Sequence, residues 1–456
     1  MKIKQNPFTR RQFMKTTSVG ALAASQIIPT YAFGTQSSSQ SGKLAALGGT
    51  PVRSNKNWPE WPYRDQNVID SIMKTTKNGI WCRINDKENG TVVTFERKYA
   101  EMLGVKRCVA VGSGTQALHT SVEALGLGPG DEVITSPYTD PGTISSILSA
   151  RALPVLADID RYSFQVDPDD VERRITKNTK AIMPVHMMGQ PANMDRFEEI
   201  AKKYNLYLIE DACQAHFARH RGRILGSIGD LGCFSHQSSK VLACGEGGSI
   251  ISNNEELMEQ CFTVQNHGTS KFGRTETIGP KYRMNEFEGA ILMGQLPTVI
   301  QRHALRNRNA EYLTSKIKDI PGITPQKLYD GTEEGSWYLY PANYNKEEYN
   351  GVDRSIYLKA LAAEGISLSP YIGNGLHKEP WVDNIIERRV YQKMYGNSRL
   401  KQFKEEMECP TCDLICDEEM VMLWASGPLL GSLTDMDDII NAMTKVYENR
   451  DQLNQL

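Results

Sequence analysis

From about Val105 to Asn253, short and continuously apolar runs alternate with segments whose apolar residues recur at helical spacing. The runs Cys108–Val111, Asp131–Thr135, Leu153–Ala157, Ala181–Val185 and Leu206–Glu210 are too short for helices. They show no alternation of apolar and polar residues, so they predict strands buried on both faces. Between them, Ala117, Leu118, Val122 and Leu125 predict a helix opening at Ser113-Gly114-Thr115, and Thr143–Ala150 and Met194–Tyr204 predict two more. Such alternation predicts an α/β domain on a mostly parallel sheet. After Gln295 a long helix is predicted over Thr298–Ile317. Trp337–Pro341, Ile366–Tyr371 and a closing helix over Met436–Asn449 then predict a smaller α+β unit. The division is residues 46–300 for the large domain and 301–456 for the small C-terminal one, with no internal repeat.

The first residues do not fit this pattern. Thr9-Arg10-Arg11-Gln12-Phe13-Met14-Lys15, the weakly apolar stretch Ser18–Ile28 and the small residues near Ala32 read as a twin-arginine export signal over residues 1–34. A polar linker follows over 35–45. The leader holds five basic residues and no acid, so its removal takes the formal charge from -2 to -7. That route carries proteins already folded, and the expected location is extracytoplasmic. Hydrophobic residues at 40% and charged residues at 23% are ordinary for a globular chain. The charge balance gives no reason to expect nucleic acid as a partner, and no apolar run reaches the length of a membrane span.

The cysteines add a restraint and not a function. Their count is nine, an odd number, and most sit in apolar strand-like segments, which reads as buried thiols. Cys409-Pro-Thr-Cys412 with Cys416 lacks a fourth local ligand, and the eight histidines show no metal spacing, so no metal is expected.

Candidate chemistry gathers on four features. Lys240 precedes a turn rich in glycine at 245, 247 and 248. An aldehyde cofactor needs an amine that can be neutral, and a partly desolvated lysine supplies one. Asp211 ends a predicted buried strand, where open α/β sheets place ligand-contacting residues. A carboxylate there can hold a pyridine nitrogen protonated. Ser113-Gly114-Thr115 opens a helix directly after a strand, an arrangement suited to phosphate. Ser235, five residues before Lys240, offers a second hydroxyl. Taken singly, these are equally a loop cation, a strand-end cap and ordinary helix caps. Together they describe pyridoxal 5′-phosphate (PLP).

In their order these motifs resemble the DegT/DnrJ/StrS family of fold-type-I PLP enzymes, the sugar and cyclitol aminotransferases. The resemblance begins at Leu47-Gly-Gly-Thr-Pro-Val-Arg53. It runs through Ser113–Leu118, Gly128–Val133, Pro184–Gly189, Glu210–His216 and the Lys240 segment to Tyr282-Arg-Met-Asn-Glu-Phe287. It implies that Lys240 carries the Schiff base and shuttles the proton. Asp211 would pair with the ring nitrogen, Gln214 would approach the phenolic oxygen, and Gly114, Thr115 and Ser235 would hold the phosphate. It also implies a homodimer with a shared site, an amino-acid donor (glutamate or glutamine) and a small keto acceptor.

Two positions depart from the family pattern. Lys281 stands where an asparagine usually reaches the partner's cofactor phosphate, and is kept as a cofactor-binding candidate. Asp140 follows Tyr138-Thr139 where an aromatic or apolar residue usually faces the ring. His186 and His377 are ranked lower, as substrate-side candidates equally readable as structural histidines. The expected activity is amino transfer to a keto sugar or cyclitol. The alternatives are a non-catalytic PLP-fold sensor or assembly protein, or another PLP reaction such as sugar dehydration, in which relatives have a histidine in place of the lysine.

Overall fold

The computed structural model describes residues 42–456. The export signal expected over 1–34, and most of the linker, lie outside the described residues. Seven strands form the main sheet: β1 (Arg107–Val111), β2 (Glu132–Thr135), β3 (Leu153–Leu156), β4 (Thr179–Ile182), β5 (Tyr207–Asp211), β6 (Leu231–Ser235) and β7 (Gly248–Ser252). Their order is β1-β7-β6-β5-β4-β2-β3. All run parallel except β7, which pairs antiparallel with both neighbours. The strands are buried nearly throughout, as the continuous apolar runs require of a sheet covered on both faces. Fold type I, as the sequence implied, is the architecture observed.

The strand order brings the candidate residues together. β5 and β6 are neighbours, with Asp211 opposite Cys233. Asp211 therefore ends β5 beside the strand whose exit loop carries Lys240. β1 lies two places further along, and the helix Gly114–Ala124 starts right after it. Ser113 caps that helix by accepting the Gln116 N–H at 3.1 Å.

A second sheet is antiparallel, with β8 (Ile323–Pro325), β9 (Leu339–Tyr344) and β10 (Met420–Trp424) in the order β8-β9-β10. It shares an apolar cluster with residues of the helices Arg354–Ala363 and Leu433–Glu448, through Tyr344, Tyr357, Ile439 and Val446. Leu44, predicted in the linker, is fully buried in that same cluster. Arg53, predicted in the large domain, donates to Asp435 and Asp438 at 2.7 Å each.

The long helix starts at Glu286, twelve residues before the predicted start, and ends at Ile317 as predicted. A capping box between Asn285 and Glu288 begins it, and Pro297 sits inside it. Proline inside a helix removes a hydrogen bond and crowds the preceding turn, and the buried Leu292, Leu296 and Val299 hold the helix through that defect. Residues 366–371 form no strand, and only Ser369 pairs with Met422. All nine cysteines are free thiols, with Cys82 and Cys213 half-buried and the others buried. Among the described residues there is no cluster spaced to hold a metal, and no helix is long and apolar enough to cross a membrane.

Candidate active site

A cavity of about 400 Å³ opens at the carboxyl ends of β5 and β6. Gly114, Thr115, Asp211, Gln214, Ser235 and Lys240 all line it. Six of the nine candidates read from the sequence thus meet in one place.

Each is fixed by its own local chemistry. Asp211 is buried, and its Oδ2 accepts the Thr143 hydroxyl at 2.7 Å while Oδ1 accepts the Cys213 N–H at 3.2 Å. Thr143 is in turn 2.9 Å from the Thr139 hydroxyl. This chain of hydroxyls holds the carboxylate in one orientation toward the cavity. Gln214 is oriented by accepting the Met188 N–H at 2.8 Å, and its Nε2 donates to the Tyr371 hydroxyl at 3.1 Å. Burial pushes the Tyr371 phenol well up, so it stays protonated. The Cys213 thiol beside Asp211 is raised likewise, by burial first and then by the carboxylate.

The Lys240 loop is pinned from two sides. Trp61 Nε1 donates to the Ser238 carbonyl at 3.1 Å, and the Ser426 hydroxyl donates to the Ser239 carbonyl at 2.8 Å. Lys240 Nζ lies 4.1 Å from the centre of the Tyr338 ring, which holds it against one wall of the cavity.

Gly114 shows why only glycine suits that position. A Cβ there would lie 2.7 Å from Ser235 Cβ and 2.9 Å from Cys213 Sγ. The close approach sets the Ser235 side chain against the first turn of the helix. There the opening N–H groups have no intrahelical partner, and an anion is the group they suit. This cradle of backbone N–H groups and hydroxyls fits the phosphate of PLP. The buried Asp211 carboxylate fits its ring nitrogen, and Lys240 fits its aldehyde.

The remaining three candidates lie elsewhere. His186 is fully buried outside the cavity, with Nε2 2.9 Å from Glu210 Oε2 and Nδ1 accepting the Ala192 N–H. Both ring nitrogens are satisfied, so it is a structural histidine. Its neighbour Val185 is the one that lines the cavity. His377 is also outside it and pairs with Asp413 at 3.0 Å, its imidazole lowered by burial. Lys281 is exposed, in a bridge with Asn266, and does not line its own chain's cavity.

Asp140 does line the cavity, and it also caps the helix Pro141–Ser149 by accepting the Gly142 N–H at 2.8 Å. Tyr138 is fully buried behind the wall and does not replace the missing ring-facing residue. Sequence reasoning missed Thr143, Tyr338, Tyr371 and Trp424, which complete the lining.

Residues 64–421 match the model of the DegT/DnrJ/EryC1/StrS aminotransferase family. A putative L-glutamine:3-amino-2,3-dideoxy-scyllo-inosose aminotransferase of Streptoalloteichus tenebrarius is 34% identical over 419 residues, covering 90% of this chain and 99% of the relative. An L-glutamine:scyllo-inosose aminotransferase of Streptomyces griseus is 30% identical over 427 residues, covering 89% and 97%. Among solved structures, 3-amino-5-hydroxybenzoic acid synthase superposes with a TM-score of 0.74 at 25% identity, covering 88% of this chain and 99% of that one. With a PLP site assembled and a family match across most of its length, the chain belongs to the DegT/DnrJ/EryC1/StrS aminotransferases and is a PLP-dependent transaminase.

Proposed function

We propose that this chain transfers the amino group of L-glutamine to the ketone of an inosose-type cyclitol, as a homodimer that acts after twin-arginine export. The observation that carries the reading is the single cavity uniting Lys240, Asp211 and the Gly114–Ser235 cradle. The relatives that match nearly end to end, which are named for glutamine and inososes, support the donor and acceptor. The resemblance supports the dimer, in which Lys281 would serve the partner's phosphate. The Arg10-Arg11 leader, with five basic residues and no acid, supports export.

When bound, PLP supplies an electron sink and a carrier for the nitrogen. The chain's own groups do the rest. Ser235 accepts the Gln237 N–H at 3.3 Å, which leaves its own proton free for a phosphate oxygen. Asp211, oriented by Thr143, would hold the ring nitrogen and favour its protonated form. Lys240 Nζ takes the proton from the α-carbon of the donor and later returns one to the carbon that was the ketone of the acceptor. Gln214 and Tyr371 present donors to oxygens at the cavity wall.

The test is to incubate holoenzyme with L-glutamine and scyllo-inosose and to look for the amino-cyclitol by mass spectrometry. Product that depends on both substrates is the expected result. No product, from an enzyme whose cofactor still responds to glutamine, refutes the acceptor. For export, residues 1–34 fused to a reporter should carry it out of the cytoplasm, and a reporter that stays inside refutes that part.

A further inference from the structure

β10 is buried until its last residue. Met420 to Leu423 are at most 4% exposed, whereas Trp424 is 49% exposed. Its indole does not open onto bulk surface alone, for it lines the cavity that holds Lys240. Tyr338 and Tyr371, in the same lining, meet it edge to face, with centroids 6.2 and 6.3 Å away and planes at 85° and 68°. Both tyrosines are tied down by their hydroxyls, Tyr338 to Ser239 at 2.8 Å and Tyr371 to Gln214 at 3.1 Å. The result is an indole that leaves apolar surface facing a reaction cavity. Such a surface is favourable only when an apolar face covers it.

The charges around it limit what that face belongs to. Lys240 is the one basic side chain in the lining, while Asp140, Asp211 and Glu246 are carboxylates. With Asp211 facing the cofactor and Lys240 engaged in the reaction, an acceptor carrying a diphosphate would meet Asp140 and Glu246 and no free basic side chain of its own chain's lining. A neutral polyol meets no such penalty. A six-membered ring with every hydroxyl equatorial points its axial C–H bonds up and down. It has two apolar faces and a polar rim, and one face can lie on the indole. An axial hydroxyl on that face would be pressed against carbon with no partner, which costs its desolvation.

We propose that Trp424 is the platform for the acceptor ring, and that it selects keto-cyclitols whose hydroxyls are all equatorial over epimers with an axial one. This rests on the cyclitol reading above. The test measures kcat/KM of the holoenzyme, at saturating L-glutamine, for scyllo-inosose and for a keto-inositol epimer carrying one axial hydroxyl. The wild type should prefer scyllo-inosose by roughly ten-fold or more. Trp424→Ala should lose most of that preference, chiefly through a higher KM for scyllo-inosose, and Trp424→Phe, which keeps a ring face, should retain most of it. A wild type without preference, or an alanine variant with the wild-type ratio, overturns the proposal. If the alanine variant yields no folded holoenzyme, Trp424→Leu replaces it. A lower ratio in the leucine variant than in the phenylalanine variant supports the platform, and equal ratios overturn it. Turnover of both ketones at a flat ratio removes the platform alone. A cofactor that responds to glutamine while neither ketone reacts removes the cyclitol reading, and the platform with it.

Discussion

Gly114→Ala separates the helix from the cradle. Judged by helix propensity alone, alanine should be welcome, since it is the better helix former by roughly 0.8–1 kcal/mol in a helix interior. The packing says otherwise. The new methyl would lie 2.7 Å from Ser235 Cβ, 3.2 Å from Ser235 Cα and 2.9 Å from Cys213 Sγ. Two of these atoms sit on or next to the backbone of β6 and cannot swing away as a flexible side-chain end would. Forcing a methyl into a filled site costs about 1–3 kcal/mol, which outweighs the gain. Relief comes only by moving the helix start or Ser235, and both face the phosphate. If the strain is expressed in cofactor binding, about 1–3 kcal/mol is roughly a 5- to 150-fold rise in Kd. The assay is a PLP titration followed by absorbance, with thermal melting of the apo protein alongside. Gly128→Ala is the control, since a Cβ there meets only the Ala150 carbonyl, at 3.6 Å. A Gly114→Ala protein that binds PLP as tightly as the control and melts with it would refute the cradle.

Two further outcomes follow from other parts of the structure. Asp211→Asn keeps the shape and removes the charge, so PLP should still bind while its reaction with glutamine slows by about 10²-fold or more. Stopped-flow absorbance reads this, and a rate within about three-fold of wild type would contradict the role given to Asp211. Stability should also fall with acid through His236. Burial lowers this imidazole from 6.5 to about 4, and its Nε2 accepts from Ser249 while Nδ1 donates to the Leu242 carbonyl. The unfolded chain therefore binds the extra proton first. This contribution is complete above pH about 6.5 and is lost as pH falls toward about 4, by at most roughly 3 kcal/mol. Urea denaturation at pH 7.5 and pH 5 tests it, with His236→Asn expected to flatten the difference; an equal dependence in both proteins would contradict it.

How much was legible in the sequence divides along physical lines. The cradle and Asp211 were readable because they are local: a glycine and hydroxyls at a strand-to-helix turn, and an acid at a strand end. Lys240 needed the other signals, since a lysine before glycines is ordinary by itself. His186 was misplaced because position at a strand end does not say which side a residue faces. Val185 takes the cavity side, and its successor turns to Glu210. The start of the long helix was missed because Pro297 reads as a boundary, whereas buried neighbours hold the helix through it. The wall made of Tyr338, Tyr371 and Trp424 was not legible at all. Those residues stand about 100 to 180 positions from Lys240, and only the packing of the second sheet against the Lys240 loop brings them there.

The most direct test of the central claim is an absorbance spectrum of the purified protein with PLP, taken before and after addition of L-glutamine, beside Lys240→Ala. The account predicts a visible band that depends on Lys240 and bleaches with the donor. A band that is missing in the wild type, or that ignores both glutamine and the substitution, would mean that this cavity does not carry out amino transfer.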